Sequence, residues 1–217
     1  HAPEVIDVPP ADSFRRPPRL SLAIRGVGGQ GNLFFGKVLA QVAFLAGYDD
    51  RNILKGETHG MAQMGGPVIS TFGCGEVFSP ALVPGTANVL IAMEKAEVLR
   101  PGFLDLLEPG GTVLMADTRI LPHGLKPEAY PSDEAIAAQL EGYRVVSVDV
   151  LSIALNLGDP KGRCANVAML GVLSTLPPFD VVPEAVWLQA LRGISRKPAL
   201  WDLNHAAFMA GRGMQKG

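Results

Sequence analysis

The chain is poor in cysteine, poor in aromatic residues and short of long apolar runs, and each shortage excludes something. Only Cys74 and Cys164 are present, far apart and in no C-x-x-C pair. That removes zinc-ribbon and thioredoxin-type readings. Iron–sulfur clusters are normally held by four thiolates, so the chain lacks the ligands to hold one alone. So few cysteines fit a reduced, cytoplasmic setting. No apolar stretch approaches the roughly 18 residues of a membrane span, and the start lacks the basic-then-apolar pattern of a secretory signal. Nor is there a surplus of one charge. Nineteen basic residues against 21 acidic ones leave a net charge of −2, which gives no electrostatic reason to expect nucleic acid or an anionic membrane as a partner.

What the chain does have is length, glycine and proline. Its 217 residues, 47% of them hydrophobic, suffice for one large domain with a sizeable core. Residues 1–18, "HAPEVIDVPPADSFRRPP", carry five prolines and no apolar periodicity. They read as an extended arm or linker, a docking tail or a connection to a domain upstream, since such a segment cannot build a core of its own. The first residue is His, which points to a processed start or a preceding segment. Residues 19–217 then read as the folded domain.

From Leu20 onward, short apolar or β-branched runs alternate with helical patterns. "LSLAIRG" reads as a buried strand, as do "VISTF" (68–72), "NVLIAM" (88–93), "TVLMAD" (112–117) and "RVVSVDV" (144–150). Asn32 to Ala46 has helical spacing, and 94–107 and 133–141 are helical candidates, the latter opened by Ser132. Pro183-Glu184 opens a later helix, and 199–211 looks like a terminal one. The alternation predicts an open, mostly parallel α/β sheet with helices on both faces.

Two glycine-rich stretches stand out. In "AIRGVGGQGN", Gly26, Gly28 and Gly31 match G-x-G-x-x-G between a strand and a helix, with Gly29 and Gln30 inside the motif. Glycine permits the tight turn and lets a phosphate approach backbone amides at a helix N-terminus. The dinucleotide-binding version also needs an acid at the end of the second strand. Asp49 and Asp50 lie at about the right distance but precede the next apolar run, so they read as turn residues. The plainer alternative is a glycine loop that only makes a tight crossing. The second stretch, "KGETHGMAQMGGPVIS", packs Glu57, Thr58, His59 and Gln63 among four glycines and reads as a loop approaching a ligand or a partner. His59 is the acid–base candidate by residue type. Nothing around it completes a metal site or a triad, and a structural histidine is the competing reading.

In order along the chain, "RGVGGQGN", "ETHGMAQMGGPVIS", "NVLIAMEKAEVLR", "LEPGGTVLMAD", "NVAMLGVL" and "NHAAFMAGR" resemble the gamma subunit or domain of the 2-oxoacid:ferredoxin oxidoreductases, nearest to the indolepyruvate type. The resemblance runs from about Leu20 to Arg212. It implies one non-redox part of a hetero-oligomer that oxidatively decarboxylates an aryl or other 2-oxoacid, usually to an acyl-coenzyme A. Thiamine diphosphate, Mg and 4Fe-4S clusters are then expected in a partner subunit or domain, and ferredoxin as a partner of the complex. This chain would bind no cofactor tightly. Gly158-Asp159 lacks the longer Gly-Asp-Gly…Asn pattern of a thiamine site. Coenzyme A becomes the candidate visitor to Gly26, Gly28, Gly29, Gln30 and Gly31, and Glu57, Thr58, His59 and Gln63 the candidate lining of a junction with the active site. The residue after Gln63, often basic in the family, is Met64 here, and the proline-rich arm is an extra. A free-standing NAD-dependent dehydrogenase and a nucleotide-binding module are the alternatives from other classes.

Overall fold

The computed structural model describes residues 5–26, 28–58, 69–77, 79–121 and 123–214. The first folded element is β1 (Arg19–Arg25), buried along nearly its whole length. It leads into α1 (Gly29–Leu45) and then the edge strand β2 (Ile53–Thr58). β3 (Ile69–Gly75) returns antiparallel, lying between β2 and β1. β4 (Ala87–Ala92) and β5 (Leu107–Ala116) follow. Next come α2 (Asp133–Gln139), β6 (Arg144–Val148), α3 (Val150–Asn156), α4 (Ala165–Leu173), α5 (Glu184–Ile194) and α6 (Pro198–Gly213). The sheet order is β2-β3-β1-β4-β5-β6. β3 alone runs against the other five strands, so the sheet is mixed but mostly parallel.

Both faces of the sheet are covered, as the alternating pattern predicts. Leu22, Ile24, Ile91 and Leu114 project to one side, where they meet Phe35, Val38 and Leu39 of α1 and the apolar residues of α4, α5 and α6. Ala23, Leu90, Val113 and Met115 project to the other, against Val98, Phe103, Ile136 and Leu140. Two-sided burial explains why β1 and β4 read as continuous apolar runs, since parallel central strands have no solvent face. Helix α2 starts where expected, with Ser132 Oγ accepting from Ala135 N at 3.1 Å.

Three expectations change. The segment 94–107 is not a helix. It forms two short 3₁₀ turns, Lys95–Leu99 and Leu104–Leu106. Pro101 forces Arg100 into an extended conformation, ψ 130°, because a residue before proline is crowded out of the α region. Helices α3 and α4 went unread: the first is two turns long, and the second is buried on all sides from Val167 to Leu173, so it carries no polar face to set a period. Glycines 29 and 31, read as loop, belong to the first turn of α1.

The N-terminal arm is irregular but laid on its own domain. Val8 and Phe14 lean against the core. Tyr48 donates to Pro17 O at 2.6 Å, and the Arg16 guanidinium lies 5.4 Å over the Tyr48 ring. Gly47, with φ of 88°, closes α1 where Ala11 and Arg16 pack too tightly for a side chain.

Candidate functional site

The strand registers bring the start of the first glycine loop and the two described ends of the second stretch, Lys55–Thr58 and Ile69–Ser70, to one edge of the sheet. A single row of paired residues crosses all six strands: Glu57, Ser70, Ile24, Ile91, Leu114 and Val146. It lies one or two residues short of the carboxyl ends of the parallel strands, where open α/β sheets gather ligands. The loop at Gly26 to Gly28 and the end of β2 therefore open on the same side. Glu57 and Thr58 are strand residues and not loop residues, a correction forced by their pairing with Ser70 and Ile69. His59 and Gln63 lie outside the described residues.

The glycines of the first loop differ in what requires them. Gly26 has φ of 81°, and a Cβ there would meet Glu94 N at 3.2 Å and Glu97 Cγ at 3.3 Å. Both its backbone angle and its neighbours exclude a larger residue. Gly28 has an ordinary extended backbone, φ −74° and ψ 172°, and no described atom lies within 4 Å of where its Cβ would be. It precedes the first turn of α1, accepting from Asn32 N at 3.0 Å. Among the described residues no side chain caps that helix, and no acid sits in its first turn, so its leading amides open toward the carboxyl edge.

Beneath this loop is a buried ionic cluster that sequence reasoning missed. Arg25 Nε donates to Glu97 Oε2 at 2.9 Å, with both side chains about nine-tenths buried. The guanidinium also lies 5.8 Å over the Phe103 ring. Met93 N donates to Arg25 O at 3.0 Å, so the end of β4 clamps the start of the loop. Beside it, the Glu94 carboxylate accepts from Ala96 N at 3.1 Å and from the Tyr130 hydroxyl. Burial pushes the Glu94 carboxyl above its ordinary range, against the pull of the Ala96 and Ile120 amides. Farther out, Lys95 Nζ reaches Asp117 at 2.6 Å and Asp133 at 3.1 Å, and Arg119 reaches Asp133 at 2.7 Å. These hydrogen bonds from Arg119 and Lys95 hold the Asp133 carboxyl low. The signal available was "MEKAEVLR" itself: four charges just beyond a fully buried strand. Read as a helix, they point to solvent; as a 3₁₀ turn, two of them, Glu94 and Glu97, turn inward.

Cys74 lies in β3 and Cys164 opens α4, and burial raises both thiols, to about 12 and about 11. Neither has the thiolate character of a ligand or nucleophile. Gly158-Asp159 has a structural job, since the Asp159 carboxylate accepts from Cys164 N at 2.7 Å ahead of α4. Among the described residues, no three His, Cys, Asp or Glu side chains cluster as metal ligands would, and no helix is long and apolar enough to cross a membrane.

The dinucleotide-binding alternative requires an acid at the end of the strand next to β1. Asp49 instead accepts from Arg51 N at 3.0 Å in the turn before β2, as its place in the sequence suggests. The neighbouring position is taken by antiparallel β3. That sets Glu57 two strands from β1, about 9–10 Å away by the spacing of strands.

Comparison with known proteins agrees with this architecture. The family model for pyruvate ferredoxin/flavodoxin oxidoreductase matches residues 21–214. An indolepyruvate oxidoreductase subunit IorB from Archaeoglobus fulgidus is 35% identical over 159 residues, 71% of this chain and 76% of that one. The gamma subunit of a keto/oxoacid ferredoxin oxidoreductase from Geobacter sulfurreducens superposes with a TM-score of 0.62 at 21% identity, covering 89% of this chain and 94% of the other. A 2-oxoglutarate:ferredoxin oxidoreductase from Magnetococcus marinus, solved with 2-oxoglutarate, coenzyme A and succinyl-CoA bound, has the same fold in 32% of its chain, with a TM-score of 0.62 at 18% identity over 93% of this one. The chain belongs to the pyruvate ferredoxin/flavodoxin oxidoreductase family.

Proposed function

We propose that this chain is the non-redox part of a cytoplasmic hetero-oligomer, and that its carboxyl edge faces the active site of a catalytic subunit or domain. That partner carries thiamine diphosphate with Mg and the 4Fe-4S clusters, decarboxylates an aryl or other 2-oxoacid, and passes electrons to ferredoxin. The loop from Gly26 to Gly31, with Glu57, Thr58, His59 and Gln63, lines the junction by which coenzyme A reaches the thiamine-bound acyl group. The placement of cofactors in the partner is supported by this chain's two cysteines, both buried and with raised thiol pKa, which do not fit the four-thiolate requirement of a cluster.

The observation that carries the junction reading is Gly28. Nothing among the described residues crowds this position: the backbone is extended, and no described atom lies within 4 Å of where a Cβ would be. What a side chain at this position would obstruct lies outside the described residues, as a phosphate or partner backbone brought up to the amides of α1 would. Gly28→Val separates the possibilities. Gly28 is the N-cap of α1, where valine is disfavoured, so the isolated variant should lose about 1 kcal/mol, about 2–4 °C in Tm, and still fold. In the assembled complex, turnover at varied coenzyme A should show a raised KM or a lowered maximal rate. Unchanged kinetics in a complex that assembles normally would mean that the glycine serves neither a ligand nor the junction.

A further inference from the structure

The sheet ends at β6, which pairs with β5 on one side and with no described strand on the other. Val148 O accepts from Asp117 N, beyond β5, at 2.8 Å. The backbone groups of Arg144, Val146 and Val148 therefore face β5, and those of Val145 and Ser147 face outward, since successive residues of a strand alternate. Among the described residues nothing bonds to these outward amides and carbonyls. Such an edge is a template for another strand, and natural proteins guard it with Lys, Pro, a bulge or an inward charge. The opposite edge is guarded, because β2 carries Lys55 and Glu57 within its length. β6 is not: its one charge is Arg144 at the start, and Val145, Val146, Ser147 and Val148 follow in regular register with β5. Along its α2 side runs a groove of about 430 Å³. Met115, Ile136, Ala137, Leu140 and Val145 give it an apolar floor beside Ser147, and Lys95, Asp117 and Asp133 line it as well, paired among themselves.

We propose that β6 pairs antiparallel with β6 of a second copy of this chain, across a two-fold axis at Val146, so that the two sheets become one. In that register Val145 stands opposite Ser147 of the copy, and Ser147 opposite its Val145. Both residues face outward, so each pair exchanges two backbone hydrogen bonds. Charge sets the direction. Arg144, at the start of the strand, is exposed and has no ion-pair partner among the described residues. Asp149, just past the other end, is exposed too. The antiparallel arrangement places Arg144 opposite Val148 of the copy and next to its Asp149, and the two-fold axis repeats the contact at the far end. An in-register parallel pairing would instead set Arg144 beside Arg144 and Asp149 beside Asp149, which is unfavourable. The groove takes part as well: cross-strand neighbours share a face, so Val145 of the copy, opposite Ser147, enters it and covers its apolar floor. A two-fold contact of this kind closes on itself and does not grow into a fibre. The edge lies three strands away from β1 and its glycine loop, so the proposal stands independently of the junction reading.

The test is the mass of the full chain in solution, by light scattering at rising concentration, which should climb from one chain toward two. Ser147→Pro removes an outward N–H that β5 does not use, a place where an edge strand tolerates proline. It should fold and weaken association about tenfold or more, whereas Ser147→Ala keeps the N–H and should associate like wild type. Val146→Cys tests the axis itself and decides the matter if Ser147→Pro does not fold. Directly opposite residues that are not hydrogen-bonded to each other have Cα atoms about 4.5 Å apart, within the range of a disulfide. Mild oxidation should therefore give a covalent dimer from Val146→Cys and none from Arg144→Cys, with Cys74 and Cys164 silent because they are buried. The mass of one chain at every concentration would overturn the proposal and leave the edge to a different subunit. So would association that Ser147→Pro leaves unchanged, or a covalent dimer from Arg144→Cys and not from Val146→Cys.

Discussion

Replacing Gly211 by Ala should destabilise the domain, whereas the same substitution at Gly193 should stabilise it. Both glycines lie within helices, α6 and α5, without positive φ, so the intrinsic gain is the same, up to about 1 kcal/mol. Their surroundings differ. At Gly193 a Cβ meets no described atom within 4 Å, whereas at Gly211 it would lie 2.0 Å from Ala168 O, in the backbone of α4. The contact is reciprocal: a Cβ on Gly171 of α4 would lie 2.1 Å from Phe208 O of α6. Neither clash can be relieved by turning a side chain, so the helices must part by more than an ångström. That loosens one of the best-buried contacts of the core, around Ala168 and Phe208. Overpacking of this kind costs typically about 1–3 kcal/mol and sometimes more. After the propensity gain, Gly211→Ala should lose about 2 kcal/mol, or about 4–8 °C in Tm for a domain of this size. Gly193→Ala should gain about 1–3 °C. Because either change at the crossing forces the same separation, Gly171→Ala with Gly211→Ala should cost less than the sum of the two. Thermal unfolding of the four variants followed by circular dichroism measures all of this. A Gly211→Ala protein that melts at or above wild type would refute the close-crossing argument.

Glu94 should make stability fall as pH rises above the ordinary carboxyl range. Burial raises its folded-state pKa above 4.5, so its favourable contribution is complete below that value and is lost as pH climbs through the raised one. The Tm of Glu94→Gln minus that of wild type should therefore grow between pH 4.5 and 7, and a flat or shrinking difference would count against a raised carboxyl. Removing residues 1–16 should lower Tm by about 5 °C, because Val8, Phe14 and the Arg16–Tyr48 contact cover the core beside Gly47, and burying one or two such side chains in part is worth about 1–3 kcal/mol. An unchanged melting curve would show that the arm contributes nothing to the domain's stability.

Much of the candidate site was legible in the sequence because its signals are local. The apolar run ending at Arg25, the glycines after it and the periodic residues of α1 are contiguous, and strand–turn–helix geometry follows from them. The strands β1, β4, β5 and β6 were legible for the same reason, since a few adjacent apolar or β-branched residues suffice to mark a buried strand. Ser132 announced α2, because its cap bond spans only three residues. What escaped was either the inward turn of a charged segment or a contact between distant parts. Glu97 meets Arg25 from 72 residues away, and nothing near either residue requires the other.

The sequence by itself determined the alternation of strands and helices, the two-sided burial of the sheet, and the order of motifs that marks the family. Only the tertiary structure decided what those motifs do. Gly171 in "NVAMLGVL" and Gly211 in "NHAAFMAGR" are 40 positions apart in the sequence, yet each exists to let the other's helix approach. The antiparallel course of β3, which inserts it between β1 and β2 and moves Glu57 away from the glycine loop, was equally hidden. The reason is physical. Periodicity and turn chemistry act within a window of a few residues, whereas strand order, helix crossings and buried ion pairs are chosen by whichever distant surfaces pack together once the chain has closed its loops.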